Sequence, residues 1–319
     1  MSVAPQASER SFCFATGLEL GRRALQALCE GGLVPRLAIG YDPSLQHRSG
    51  YVPLGDLADR YQFDLIEVRD INTESVFERV QAAGPDLFIV AGWSQLVRDP
   101  LLSSFPLQAV GMHPTALPHG RGRAPIPWTL IKGMDKTAVT LFYLVAEADA
   151  GDIIDQEPIV VSMRDDATSL YEKVADAHAT ILLRAVPRLL AGEATRHPQG
   201  EGDFWPKRRP EDGVIDWSLD VEALYNWVRA LTHPYPGAFT FVGGRRLVVW
   251  TADMLRLPRS PAAPAQIVGP VWSSRIGGAA VACEGGVLIL RTVEVDGTGE
   301  VDALSLVESD VLVEGDHLG

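Results

Sequence analysis

The chain has little of what extracellular and membrane proteins usually need. Its 319 residues include only three cysteines, Cys13, Cys29 and Cys283, an odd and scattered set. No apolar run approaches the roughly 20 residues that span a bilayer. The first residues are polar and carry no basic stretch that leads into an apolar one. We therefore expect buried free thiols, no secretory signal and a cytoplasmic location.

Motifs for metals and nucleotides are also missing. No pair of histidines or cysteines has metal-ligand spacing, so we expect no metal site. Only Gly17 and Gly21 follow the first predicted strand, and a G-x-G-x-x-G sequence is absent. A Walker-type loop and a G-x-S-x-G sequence are absent as well. These absences disfavour a dinucleotide-dependent enzyme, a P-loop enzyme and a serine hydrolase of the α/β type.

Positive charge is scarce. The sequence has 28 Lys and Arg against 41 Asp and Glu, a formal net charge of −13. From Asp203 to Gly319 there are 10 basic residues against 16 acidic ones. The average field therefore repels nucleic acid, whereas a small anionic ligand needs only a few local cations. We expect a small-molecule partner, with no nucleic acid and no membrane partner.

Short apolar runs alternate with amphipathic stretches in the first part of the chain. Strands are predicted at residues 11–17, 33–41, 64–68, 86–91, 109–113 and 138–145, and helices at 18–31, 54–61 and 75–83. This alternation predicts a parallel sheet with crossover helices. A capping box of Ser169 and Glu172 predicts a further helix to about Leu190, which Pro187 is expected to bend or end.

The character of the sequence changes after this helix. Residues 191–210 are rich in glycine, proline and charge, which predicts a linker. A helix is predicted at 221–231, and short β-like segments follow at 238–242, 246–250, 279–282 and 287–293. Gly-rich turns between these segments indicate a small β-barrel. Four tryptophans in this region are expected to pack in cores rather than to stack on bases: Trp205, Trp217, Trp227 and Trp250.

Residues 111–152 carry the chemistry. His113 ends a predicted strand and enters a loop rich in proline, glycine and arginine, where sheets of this kind bind ligands. Arg121 and Arg123 stand at alternate positions and, if extended, can grip a phosphate or carboxylate together; solvated loop arginines are the alternative. Asp149 lies in an acidic turn with Glu147 and Asp152, which is either a solvated turn or a carboxylate that faces a histidine.

Two long segments carry a resemblance to a known family. GMHPTALPHGRGRAPIPWTLIKG followed by TAVTLFYLVAEADAGDIIDQ resembles the formyl-transfer core of 10-formyltetrahydrofolate-dependent formyltransferases. The form HPxxLPxxRGRAPIxW is typical of the sugar-nucleotide and methionyl-tRNA branches. KRRPEDGVIDWS, RALTHPYPGAF and GRRLVVW resemble the connector and C-terminal domain of that family. The resemblance covers most of the chain.

The resemblance implies an α/β fold, with a Rossmann-like, mostly parallel catalytic domain and a small OB-like β-barrel. We assign these to residues 1–190 and 211–319, with the linker at 191–210. It implies 10-formyltetrahydrofolate as co-substrate and no metal. The catalytic His and Asp of the family fall on His113 and Asp149. The folate pocket is predicted from Gly92, Trp93, Ser94, Gln95 and Leu96, with Ala146, Ala148 and Gly151 opposite. Substrate contacts are predicted from Arg121, Gly122, Arg123, Ala124 and Pro125.

One position departs from the family pattern. The catalytic Asn of the N-x-H pair falls on Gly111, which has no side chain to donate a hydrogen bond. Residues two apart on a strand face the same way, so the Asn and His of the family reach one carbonyl. Losing such a donor costs roughly a hundredfold to a thousandfold in rate. Thr115 and Gln95 are the candidates for a replacement.

The acceptor amine is open among three classes. The RGRAPIxW and HPYPGAF sequences favour an amino-sugar nucleotide. An amino acid or hydroxylated amine of specialised metabolism is the second class, and initiator tRNA is disfavoured by the acidic C-terminal region. Because of Gly111, a folate-binding homologue without transferase activity and a hydrolase of the formyl carrier are kept as alternatives. A homodimer is a further expectation.

Overall fold

The computed structural model describes residues 10–47, 50–272 and 277–319. Contacts divide the chain into two compact units. The first contains the residues up to Pro125, Lys136–Val160 and Tyr171–Pro206. The second contains Ile126–Asp135, Val161–Leu170 and Lys207–Gly319. The second unit therefore includes two short stretches from the range 1–190, which the sequence assigns to the first domain.

Strands and helices alternate in the first half of the chain, as predicted. The strands are β1 (Phe12–Ala15), β2 (Leu37–Tyr41), β3 (Asp64–Val68), β4 (Leu87–Val90), β5 (Ala109–His113), β6 (Arg121–Gly122), β7 (Lys136–Tyr143), β8 (Ile153–Val160) and β9 (Phe204–Trp205). The helices are α1 (Glu19–Glu30), α2 (Gly55–Tyr61), α3 (Glu74–Ala83), α4 (Pro125–Ile131) and α5 (Ala167–Ala191). Each strand and helix predicted in this half therefore has its counterpart.

Seven strands form one sheet in the order β3-β2-β1-β4-β5-β7-β8. The first five are parallel, while β5–β7 and β7–β8 pair antiparallel. The strand order reverses between β1 and β4, and ligands bind beyond the carboxyl ends of strands at such a point. The α/β class with a mostly parallel sheet is thus confirmed.

Burial explains why the strands are continuous apolar runs. β1 and β4 are buried along their whole length, as expected for strands covered on both faces. Phe88 on β4 stacks on Phe105, with ring centroids 4.9 Å apart, in a core cluster that also holds Val76 and Val80 of α3. On α1, the predicted apolar face is buried: Leu20, Ala24, Leu25 and Leu28.

Two details of α5 differ from the prediction. The helix begins at Ala167, and its start is held by Asp166, whose carboxylate accepts from the Ser169 N–H while its own N–H donates to the Ser169 hydroxyl. The capping box therefore lies three residues before the predicted one of Ser169 and Glu172. Pro187 does not end the helix, which continues to Ala191.

The second unit holds an antiparallel sheet. Its strands are β10 (Ala238–Val242), β11 (Arg245–Arg256), β12 (Ile267–Trp272), β13 (Gly277–Cys283), β14 (Gly286–Val295) and β15 (Val301–Asp302), with helices α6 (Val221–Leu231) and α7 (Ala303–Glu308). The order is β10-β11-β14-β13-β12, and β15 pairs with β14. The four predicted segments and α6 are present. The OB-like barrel stays a prediction.

Sequence periodicity missed three elements of this unit. β12 contains Gly269, whose φ is 105°, and Pro270, and both interrupt a strand pattern. β15 is two residues long, and α7 is a short helix that follows it directly. Such elements depend on their neighbours more than on their own sequence, so an isolated sequence pattern does not reveal them.

The cysteines are free and buried, as expected. Burial raises the pKa of Cys29 and of Cys283 to about 11, so neither is a thiolate at neutral pH. Within the part of the chain that the structure describes, no helix has both the length and the apolar character to cross a membrane.

One buried histidine on α5 makes stability depend on pH. His178 is 1% exposed, and its Nδ1–H donates to the Val174 carbonyl at 2.7 Å. Burial lowers the pKa of His178 from 6.5 to about 4, opposed by that hydrogen bond and aided by the charge of His113. The folded pKa lies below the unfolded one, so this histidine is neutral in the folded protein at neutral pH.

We predict that His178 removes stability as the pH falls from about 6.5 to about 4. As the pH falls, the unfolded chain binds this proton before the folded protein does. The free energy of unfolding therefore decreases, by about 3 kcal/mol once the pH is below both pKa values. His178→Phe should lack this component, so the difference in unfolding free energy between the variant and the wild type should change over that range. Urea titrations at a series of pH values measure it, and parallel curves would contradict the assignment.

Candidate active site

His113 ends β5 and is 6% exposed. Its Nε2 lies 2.8 Å from the Gly120 carbonyl oxygen. A carbonyl only accepts, so Nε2 carries the proton and Nδ1 is the basic nitrogen of the neutral ring. Nδ1 lies 3.7 Å from Oδ2 of Asp149. The imidazole therefore turns its basic side towards the second residue that the sequence singles out.

Asp149 occupies a turn between β7 and β8 with a φ of 56°, in the left-handed region that Asp tolerates better than most residues. Its Oδ2 accepts a hydrogen bond of 2.9 Å from the Gly122 N–H. The separation of 3.7 Å from His113 Nδ1 is longer than a hydrogen bond but within ion-pair range. The structure brings the two predicted catalytic residues together. The hydrogen bond that orients the ring is donated to the Gly120 carbonyl.

The loop before β6 is fastened by Asp203, which stands in the predicted linker. Its carboxylate accepts from the Gly120 N–H at 2.9 Å and from the Trp205 indole N–H at 2.8 Å. Partial burial alone raises the pKa of Asp203, but these hydrogen bonds and one from His119 lower it below its ordinary value. The ionised carboxylate therefore fixes the residue whose carbonyl orients His113.

Gly120 has no room for a side chain. Its φ is 74°, and a Cβ would stand 2.9 Å from both Thr115 Cγ2 and the Trp205 ring. β6 pairs in parallel with β9, which lays residues 121–122 against 204–205. The stretch predicted as a linker therefore packs against the loop whose Gly120 carbonyl contacts His113.

The two arginines predicted to bind substrate together have different surroundings in the structure. Arg121 is 9% exposed, and its Nε and Nη2 donate to the Gln199 Oε1 at 3.1 and 2.8 Å. Its Nη2 also lies 3.3 Å from the Gly200 carbonyl. Arg121 is thus engaged inside the protein through Nε and Nη2, and its contact with a substrate stays a prediction. Arg123 is exposed, and within the described residues its guanidinium makes no hydrogen bond or ion pair.

The other three residues predicted at the substrate play backbone parts. Gly122 supplies its N–H to Asp149. Ala124 has a φ of 52°, and Pro125 begins α4. Their contact with a substrate stays a prediction, as does that of Arg123.

A cavity of about 110 Å³ reaches Asp149 from the ends of β4, β5 and β7. Five of the residues predicted for the folate pocket line it: Gly92, Trp93, Gln95, Leu96 and Ala148. Three do not line it: Ser94, Ala146 and Gly151. Gly151 instead passes so close to Tyr143 that a Cβ would lie 1.7 Å from the Tyr143 carbonyl oxygen.

Ser94 supports the cavity wall from behind. Its hydroxyl lies 2.6 Å from the Tyr41 hydroxyl, and its N–H donates to the same oxygen at 2.9 Å. The Tyr41 ring stacks on Trp93, with centroids 4.0 Å apart. The buried Nε1–H of Trp93 has no hydrogen-bond partner in the described part of the chain. A buried donor of this kind at a cavity wall is a feature that a polar ligand can satisfy.

The space beside Gly111 is filled by an apolar side chain. A Cβ on Gly111 would stand 2.5 Å from Leu144 Cδ2. Gln95 is tied on both sides, because its Oε1 accepts from the Ile71 N–H and its Nε2 donates to the Arg69 carbonyl. Thr115 is buried, with its hydroxyl 3.4 Å from the Gly120 carbonyl. The single donor of Thr115 is therefore engaged, whereas Gln95 lines the cavity and uses one of its two N–H groups on Arg69, so the replacement of the missing Asn stays a prediction.

Sequence reasoning missed the parts of Gln199 and Asp203, whereas Trp205 is buried, as expected. All three lie in the segment that composition marks as a linker, without periodicity or a recognised motif. Their partners stand about eighty positions earlier in the chain. A polar amide and a carboxylate among glycines carry no local signal of such long-range pairing.

Comparison with known proteins identifies the family. Residues 53–186 match the family model described as formyl transferase. Residues 207–310 match the model of the formyl transferase C-terminal domain. Together the two matches cover about three quarters of the chain. The chain belongs to the formyl transferase family.

Solved structures with this fold have low sequence identity. HypX from Aquifex aeolicus aligns with a TM-score of 0.65 at 17% identity, over 96% of this chain and 49% of its own. This chain thus spans about half the length of HypX. An N-formyltransferase from Helicobacter canadensis aligns with a TM-score of 0.60 at 14% identity, over 88% of this chain and 98% of its own. The methionyl-tRNA formyltransferase from Clostridium thermocellum aligns with a TM-score of 0.55 at 22% identity, over 77% of this chain and 94% of its own. These likenesses establish the fold alone.

We predict that Gly111→Asn alone destabilises the protein by about 1–3 kcal/mol, because it overpacks the space that Leu144 fills. Adding Leu144→Ala should relieve the clash. The loss in the double variant should therefore be smaller than the sum of the two single losses. Urea unfolding of the four proteins in the cycle measures the coupling. Additive losses would show that the two sites do not compete for space.

Proposed function

We propose that this enzyme transfers a formyl group from 10-formyltetrahydrofolate to the amine of a small substrate, an amino-sugar nucleotide. The observation that carries the proposal is the approach of His113 Nδ1 to Asp149 Oδ2 at 3.7 Å, beside a cavity that Asp149 lines. The family membership supplies the reaction class.

The two side chains have distinct parts in a formyl transfer. One carbon–nitrogen bond forms at the acceptor amine and one breaks at the folate nitrogen, so a proton must leave the first nitrogen and reach the second. His113 Nδ1 accepts the amine proton as a general base, since Nε2–H is held by Gly120. The Asp149 carboxylate then stabilises the imidazolium at ion-pair distance until the proton passes to the leaving nitrogen.

The cavity suits a flat heterocycle with several polar edges. Bound 10-formyltetrahydrofolate supplies the formyl group. Trp93 offers an aromatic wall and a buried N–H without a partner, and Glu147 and Asp149 offer carboxylate acceptors for ring N–H groups. HypX was solved with tetrahydrofolic acid, and the Helicobacter canadensis enzyme with folinic acid. These ligands support a folate in the same place here.

Charge supports a small acceptor over a large anionic one. The net charge of −13 opposes docking of tRNA, while exposed Arg123 beside the catalytic loop can bind one phosphate group. The Helicobacter canadensis enzyme was solved with dTDP-3-aminofucose, which is an amino-sugar nucleotide. An amino acid or hydroxylated amine remains the alternative acceptor, and a panel that includes both classes separates them.

The proposal is tested by turnover of His113→Asn and Asp149→Asn with 10-formyltetrahydrofolate and an amine panel. We expect both substitutions to lower kcat by about a hundredfold to ten-thousandfold, because each removes part of the proton path. Mass spectrometry of the acceptor measures the product. Arg123→Gln should instead raise KM for a nucleotide acceptor with little change in kcat. Full turnover in both purified, folded catalytic variants would refute the assignment.

A second candidate is a folate-binding homologue without transferase activity, and the packing of Leu144 beside Gly111 favours it. Under the main proposal the enzyme works without the side-chain donor. Gly111→Asn with Leu144→Ala should then raise kcat, by up to about a hundredfold to a thousandfold if the new amide reaches the formyl oxygen. A wild type that binds folate but forms neither formylated product nor formate would instead establish the second candidate.

A further inference from the structure

We propose that Gln199 is a positioning residue for the catalytic pair, and that Arg121 acts through it; this inference rests on the proposed function. Gln199 lies in the segment 191–210, which its composition marks as a linker. It touches neither His113 nor the cavity in the described structure. Its effect reaches the site through the turn that carries Asp149.

The Gln199 side-chain amide bridges two parts of the site. Its Nε2 donates to the Asp149 carbonyl at 3.0 Å and to the Gly151 carbonyl at 2.6 Å. Its Oε1 accepts both hydrogen bonds from the Arg121 guanidinium. Both ends of the Gln199 amide are therefore hydrogen-bonded. Rotating the amide by 180° would place Nε2 against the Arg121 donors, so only the orientation that offers Nε2 to the turn is possible.

The turn needs an external support because its own backbone is strained. Asp149 has a φ of 56°, in the left-handed region, where a non-glycine residue stays in place only when its surroundings enforce that conformation. Gly151 is pressed against the Tyr143 carbonyl, where no Cβ fits. The two carbonyls that Gln199 binds flank this constrained stretch on both sides.

Both ends of Asp149 are consequently fastened to the same loop. Its carboxylate is held directly by the Gly122 N–H, and its backbone carbonyl is held through Gln199 by Arg121. The neighbouring Gly120 carbonyl orients the His113 ring. Residues 120–122 therefore set the positions of both catalytic side chains, and Gln199 completes the connection to the acidic one.

Arg121 can hold the Gln199 amide in one orientation because it is buried and donates two hydrogen bonds to it. It places two N–H groups on one oxygen, and its backbone N–H donates to the Asp203 carbonyl at 3.0 Å. A guanidinium held in this way fixes the rotation of the Gln199 amide. A lysine has no second fixed N–H to offer the same oxygen.

The test substitution is Gln199→Glu, which keeps the acceptor for Arg121 and removes only the donor to the turn. The carboxylate would also repel the Asp149 and Gly151 carbonyls. We expect kcat to fall about tenfold to a hundredfold, the size of effect that a misplacement of about 1 Å produces. KM for the folate substrate should change less than kcat, since Gly92, Trp93 and Leu96 on the opposite wall of the cavity do not depend on Gln199. Gln81→Glu, an exposed site on α3 with the same charge change, is the matched control and should match the wild type.

A second readout does not depend on turnover. The Gly122 amide is held by the Asp149 carboxylate, so its hydrogen exchange, followed by NMR, reports where that carboxylate lies. Gln199→Glu should accelerate this exchange while the melting temperature stays near that of Gln81→Glu. A Gly122 amide as protected as in the wild type, together with unchanged kcat, would overturn the proposal. A lowered melting temperature with parallel losses in kcat and folate binding would also overturn it, because that outcome marks a general structural role.

The part of Arg121 is tested by a double-mutant cycle. Arg121→Lys and Gln199→Glu should each lower kcat, and the double variant should be no slower than the slower single one, since both act on one connection. Multiplying effects would overturn the link through Gln199. If the wild type transfers no formyl group to any amine, the proposed function fails, and Gly122 exchange alone then decides the positioning inference. If His113→Asn is inactive while Gln199→Glu keeps full activity and protection, only the positioning inference fails.

Discussion

The hydrogen bond from His113 to the Gly120 carbonyl sets the chemistry of the site. It assigns the proton to Nε2 and leaves Nδ1 to face Asp149 across 3.7 Å. That bond exists only because the loop brings a backbone carbonyl under the imidazole, at a residue with a φ of 74° and no space for a side chain. The carboxylate of Asp203 holds the other side of the same residue. The catalytic geometry is thus a property of the loop backbone more than of a histidine–carboxylate contact.

Because position 111 is a glycine, the site lacks the side-chain hydrogen-bond donor that the family pattern places there. In this chain Leu144 fills the volume that a side chain on Gly111 would enter, so the cavity has an apolar contact where the family has a donor. Under the proposed function, formyl transfer relies on the proton path of His113 and Asp149 without a side-chain donor at position 111. The departure is local, because the strand pairing of Gly111 with Phe142 and Val90 is regular.

Most strands and helices of the first unit could be predicted from the sequence, because strands such as β1 and β4 are buried apolar runs and α1 has one apolar face, whereas β6, β8 and β9 were missed. β3 and β5 have the predicted bounds, and α1 buries the predicted side. The convergence of His113 and Asp149 followed from a resemblance in long motifs and could not come from spacing. Gln199 and Asp203 were hidden because their partners are remote and their own segment is polar. The internal partner of Arg121 was not foreseen, because alternation along a strand shows which residues share a side and does not show which side is buried.

The protonation pattern of His113 tests the central claim most directly. Nitrogen-15 NMR of the histidine rings distinguishes the two neutral tautomers at a pH where the ring is uncharged. The structure predicts that Nε2 carries the proton and that Nδ1 is bare, since the Gly120 carbonyl accepts from Nε2. A His113 ring protonated at Nδ1 in its neutral form would contradict the account, because no basic nitrogen would then face Asp149.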